Sequence, residues 1–152
     1  MKKICLVAVM TLAFFVMAPH AVQAQGGAKQ GPEVMRDPDM EKDSLHNLEV
    51  ARQYFKLRKA YKASLARCEE IIAGNPTFAK IDEVLLIAGE SSLRLSENKG
   101  KQSVKTATDK LREDAREYLS LLVNNYPDSR FKDAALEDLK LLGGLKPKDS
   151  KQ

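Results

Sequence analysis

An all-α domain of about five helices, paired as antiparallel hairpins, is predicted for this chain of 152 residues. Three observations predict it. Apolar residues recur at helical spacing in five stretches, and the alternation of a half-buried strand is missing throughout. Two of those stretches meet a proline and resume at once, around Pro76 in Ile72-Ala-Gly-Asn-Pro-Thr-Phe and around Pro127 in Val123-Asn-Asn-Tyr-Pro-Asp-Ser. Proline ends a helix because it lacks the N–H donor and pushes the residue before it out of the helical region. The connections are short except Glu97 to Thr106.

The chain opens with Met1-Lys2-Lys3, an apolar run from Ile4 to Met17, and Pro19-His-Ala-Val-Gln-Ala24. A basic start, a short apolar core and small residues before a cut describe a secretory signal peptide over residues 1–24. Cleavage is expected between Ala24 and Gln25. The run of 14 residues falls short of the roughly 20 that span a bilayer, so stable membrane insertion after cleavage is not expected. An uncleaved anchor is the alternative. Cys5 lies at the start of the apolar run, the wrong place for a lipid-attachment cysteine. The exported chain would carry 23 basic against 21 acidic residues, a balance of +2, too near neutral to predict nucleic acid as a partner. It would keep one cysteine, Cys68. That excludes an internal disulfide, and a lone thiol in an oxidising compartment should be buried.

Residues 25–43 contain Gly26-Gly27, Gly31-Pro32 and Pro38 and few apolar side chains, so they read as a flexible linker. The helical domain is expected over 44–145. Ser44 is the cap expected for a first helix with Leu45, Leu48, Ala51 and Phe55 on one face. A turn falls near Leu57 to Lys59. The second helix carries Tyr61, Ser64, Leu65, Cys68, Ile71 and Ile72, and stops at Gly74-Asn75-Pro76. The third runs from Phe78 or Ile81 to Leu95, with Ile81, Val84, Leu85, Ala88, Gly89 and Ser92 on its inner side. Thr106 or Thr108 is the expected cap of the fourth, which sets Leu111, Ala115, Leu119 and Leu122 in line before Tyr126-Pro127. Asp128 or Ser129 is the expected cap of the fifth, which Gly143-Gly144 ends. Residues 146–152 are a polar tail.

These hairpins resemble tetratricopeptide repeats, whose period is 34 residues. Laid from Leu45, the first unit closes on Pro76. Leu48 takes the large first-helix position, Ala51 and Phe55 face the second helix, Tyr61 enters it in Lys59-Ala-Tyr-Lys-Ala-Ser64, and Ser64 is the small residue at the crossing, with Cys68 and Ile71 packed inward. Arg52 departs from the pattern, which prefers glycine there. An arginine must lie sideways or hold the helices apart. In the second unit Ala88-Gly89 is the small pair, Ala115 the crossing residue, Leu119 and Leu122 the inward positions and Pro127 the end. The passage Tyr126-Pro-Asp-Ser-Arg-Phe-Lys-Asp-Ala-Ala-Leu-Glu-Asp-Leu resembles one in the BamD-type outer-membrane assembly family, and the periplasmic coordinator of the Tol-Pal system carries similar repeats. The resemblance implies a short right-handed superhelix and a periplasmic adaptor working at the cell envelope.

Reactive groups are scarce. His46 is the one histidine left after cleavage, and one imidazole builds neither a metal site nor a Ser/His/Asp set. No phosphate-binding glycine loop is present. The acidic pairs Glu69-Glu70, Asp82-Glu83 and Glu113-Asp114 diverge by about 100° around a helix and read as solvated faces. The lysines between Lys99 and Lys110 read as a soluble loop, with anionic lipid as the alternative. No enzyme activity, cofactor or metal is expected. The expected partner is an envelope protein or peptide, a second copy, or a larger complex. It would bind in a concave groove or, as a structural subunit would, on the outer faces. Leu136 and Leu139 on the fifth helix are expected to form an uncovered flank that docks it.

Overall fold

The computed structural model describes residues 36–102 and 104–146. Within them lie five α-helices and no strand. The expected cleavage site at Ala24/Gln25 and residues 147–152 of the tail lie outside the described residues.

The first helix, α1 (Pro38–Gln53), starts well before Ser44. Asp37 is its cap, in extended conformation, with its Oδ1 accepting from Asp39 N at 2.9 Å. Pro38 stands at the first helical position, and Asp39 and Glu41 fill the first turn, where carboxylates favour the helix dipole. Residues 38–43, expected as linker, are therefore helix. Ser44 is buried instead, its Oγ accepting from Asn75 Nδ2 at 3.1 Å.

One π-helical turn, Tyr54–Arg58, ends α1, and Lys59 reverses the chain at φ 50°. Helix α2 (Tyr61–Gly74) then returns along α1. Ser64 Oγ donates to Ala51 O at 3.0 Å, so the two small residues mark the closest approach of this pair.

Two proline turns share one backbone plan. Asn75 N donates to Ile71 O, Phe78 N to Asn75 O, and Ile81 N to Phe78 O. Tyr126 N donates to Leu122 O, Ser129 N to Tyr126 O, and Lys132 N to Ser129 O. Asn75 sits at φ −141°, ψ 73° and Tyr126 at φ −128°, ψ 63°. Each leaves the helical region as a residue before proline must.

Helix α3 (Ile81–Ser96) is the central element, buried over nearly its whole length. A Cβ at Gly89 would lie 2.6 Å from Leu119 Cγ and 3.4 Å from Ala115 O. The missing side chain thus lets α4 (Thr108–Asn125) press against α3. Ala107 precedes α4, and no side chain caps it, so neither Thr106 nor Thr108 does. Helix α5 (Lys132–Leu141) follows the second proline turn, where Ser129 Oγ accepts from Phe131 N at 3.1 Å. Gly143 and Gly144, both at positive φ, end it.

One apolar cluster joins α1, α2 and α3 around Leu48, Ile71 and Val84, and a second joins α3, α4 and α5 around Leu85, Leu119 and Leu139. Leu139 is 1 % exposed and Leu136 is half-buried against the second cluster, so the expected uncovered flank is core. The apolar arc of α5 is wide because that cluster also holds Leu85 and Leu86 of α3, and two neighbours need more than one helix stripe. The exposed apolar residues of this end are Leu141 and Leu145. The tail begins folded back on α4: Lys146 N donates to Ser120 Oγ at 2.9 Å, and Lys146 Nζ pairs with Glu113.

Candidate functional site

Asp82, Glu90 and Arg94 are the α3 residues that escape full burial. Glu83, Glu90 and Arg94 repeat at seven and four residues, which stacks them along one edge of a helix. Glu83 is nearly buried, and Glu90 and Arg94 are half-buried. Charged groups of three other segments meet this line.

Arg52 of α1 donates from Nε and Nη2 to the two carboxylate oxygens of Glu83, each at 2.6 Å. Arg130, just before α5, approaches the same carboxylate at 3.8 Å, with its guanidinium stacked 4.6 Å from the centre of the Phe131 ring. Arg52 therefore lies sideways and ties α1 to α3. Its bond to Glu83 keeps its proton on more firmly than usual. Glu83, expected on a solvated face, is a buried anchor. Its neighbour Asp82 also points to structure, accepting from Ser129 Oγ at 2.7 Å.

Further along the line, Glu90 has no cation within ion-pairing distance among the described residues. Burial raises its pKa, and Asp138 of α5 adds to the rise, while Arg94 and Lys56 oppose it. Asp138 is raised as well, first by burial. Arg94 is drawn to Glu97 instead, at 3.5 Å. Two half-buried carboxyl groups from two helices are thus without a paired cation among the described residues, with Asp138 acting on Glu90, and such a pair suits a basic side chain supplied from outside.

The packing residues expected from sequence fall as follows. Leu48, Ala51, Ser64, Cys68, Ile71, Leu85, Ala88, Gly89, Ala115, Leu119 and Leu122 are buried. Phe55, Tyr61 and Tyr126 are half-buried, and Pro76 and Pro127 are exposed in their turns. Phe55 and Tyr61 meet edge to face with ring centres 5.3 Å apart. The Cys68 thiol is fully buried and pushed up to about 12 by that burial, which leaves it without nucleophilic thiolate. His46 is exposed. Glu90 and Asp138 were invisible as a pair because they sit on helices that only tertiary packing brings together.

Among the described residues no group of three or more His, Cys, Asp or Glu is placed to hold a metal ion, and no helix is long and apolar enough to cross a membrane. Lys99 pairs with Glu97, and Lys110, which lies in α4 and not in the loop, pairs with Asp114, so two of these lysines already have partners. No protein-family model and no curated protein sequence matches the chain.

Proposed function

We propose that this chain is a non-enzymatic periplasmic adaptor or scaffold of the cell envelope, built from tetratricopeptide-like hairpins. It holds a basic peptide or helix of a partner protein against the exposed line of α3. The observation that carries this reading is the pair Glu90 and Asp138, both half-buried and both without a paired cation among the described residues. A Lys or Arg of the partner would enter between them and gain from the low local dielectric. The signal-like leader and the likeness of the Tyr126 to Leu139 passage to the BamD-type family support the compartment and a part in outer-membrane assembly.

A second reading is a structural subunit of an envelope complex, as in the Tol-Pal system, which works through its outer faces. The exposure of Leu57, at 80 %, and of Leu141, at 63 %, favours it. Photo-crosslinking in cells distinguishes the two. A crosslinker at position 90 should capture a partner that one at position 141 does not. Capture from 141 alone would establish the outer-face reading. Intact mass of the exported protein tests the compartment: a product starting at Gln25, without lipid, is expected.

A further inference from the structure

The two proline turns stand side by side at one end of the helices and enclose a cleft of about 580 Å³. That volume lies within the range of small-molecule sites. Phe78 from the first turn, Ile81 at the start of α3 and Tyr126 from the second turn supply apolar lining, together with Pro76 and Pro127.

Charged groups of both signs line it. Arg36 lines the wall of the first turn, where its Nε donates to Thr77 O at 2.9 Å. The two terminal nitrogens of that guanidinium have no partner among the described residues. Asp128 lines the wall of the second turn, also without a cation, and Asp82 beside it accepts from Ser129. Tyr126 lines the same cleft, and its hydroxyl makes no hydrogen bond among the described residues. Burial and then Asp82 raise its pKa, while Arg36 acts in the opposite sense. Both signs of charge therefore reach one phenol.

A simple anion in this cleft would meet Asp82 and Asp128, and a simple cation would meet Arg36. We propose that the cleft is a binding site for a small α-amino-acid zwitterion with an apolar side chain, free or as a dipeptide. Arg36 holds the carboxylate in a forked pair, Asp128 holds the ammonium, and the side chain lies on Phe78 and Tyr126. The site is separate from the α3 line and does not depend on it.

Calorimetric titration of the full chain with leucine and with Leu-Leu tests this, alongside N-acetyl-Leu-Leu and Leu-Leu amide. A free-ended probe should bind, and blocking either end should weaken it at least tenfold. Binding of leucine alone identifies a free amino acid as the ligand, and binding of Leu-Leu alone identifies a peptide. Arg36→Gln should reproduce the effect of the amide, and Asp128→Asn that of the acetyl group. Both residues are exposed, so the variants should keep the helical circular dichroism. Glu90→Lys should leave this titration unchanged. No binding of either free probe at millimolar concentration, or equal binding of blocked and free Leu-Leu, would overturn the proposal.

Discussion

Arg52 of α1 grips Glu83 of α3 through two parallel hydrogen bonds of 2.6 Å each. The fork joins the first helix directly to the third, past the α2 hairpin partner. Removing one member of a buried ion pair costs about 3–5 kcal/mol because the other is left without compensation. Here the cost is smaller, since Arg52 keeps 28 % of its side chain in water. Arg52→Ala is expected to lower stability by about 2 kcal/mol. The double variant Arg52→Leu/Glu83→Leu should lose less, because no charge is then stranded. Urea unfolding of the two variants checks the order. Equal losses would mean that the pair contributes only packing.

Gly89→Ala sets two effects against each other. Alanine favours a helix over glycine by about 1 kcal/mol. Its Cβ would meet Leu119 Cγ at 2.6 Å, and overpacking of this kind costs about 1–3 kcal/mol. The clash should win and the melting temperature should fall. Ala115→Leu, at the same crossing and fully buried, should fall further. A higher melting temperature for Gly89→Ala would show that α4 can back away.

Leu139→Lys and Leu141→Lys separate core from surface on α5. Leu139 is 1 % exposed and Leu141 is 63 % exposed. The first should abolish the cooperative thermal transition, and the second should leave it within about 0.5 kcal/mol. Circular dichroism during heating reads both.

The same helix shows where the sequence was legible and where it was not. Helical period and proline placement depend on near neighbours, so the turns at Pro76 and Pro127 and the end at Gly143-Gly144 could be located. Asp37-Pro38 carries a helix start in two residues, a cap and a proline at the first position, but within a run of glycines and prolines it also fits a linker. Arg52 and Glu83 are 31 positions apart, so the departure at Arg52 is visible in the sequence but its partner is not. Leu139 was misplaced for a related reason: the width of an apolar arc does not say whether a second neighbour or solvent lies beyond it. The strip at Glu90 and Asp138 is a product of packing in the same way.

Glu90 and Asp138 also give the fold a dependence on pH. Both carboxyls have pKa values above the ordinary range, chiefly through burial. The folded state therefore holds their protons more tightly than the unfolded state. Their contribution to stability is fully present below the unfolded values near pH 4, and it is lost as pH rises through the raised folded values. Glu90→Gln removes one of these groups. Its unfolding midpoint in urea, relative to the native chain, should therefore rise between pH 4 and pH 7. Lys56 and Arg94 oppose the rise at Glu90 without reversing its direction. A basic peptide bound to the α3 line would favour the charged form of Glu90. Adding it should therefore shrink the pH 7 difference between native and Glu90→Gln protein. A difference that is the same at pH 4 and pH 7 would mean that Glu90 is solvated, and the α3 strip would then have no buried anion to offer a partner.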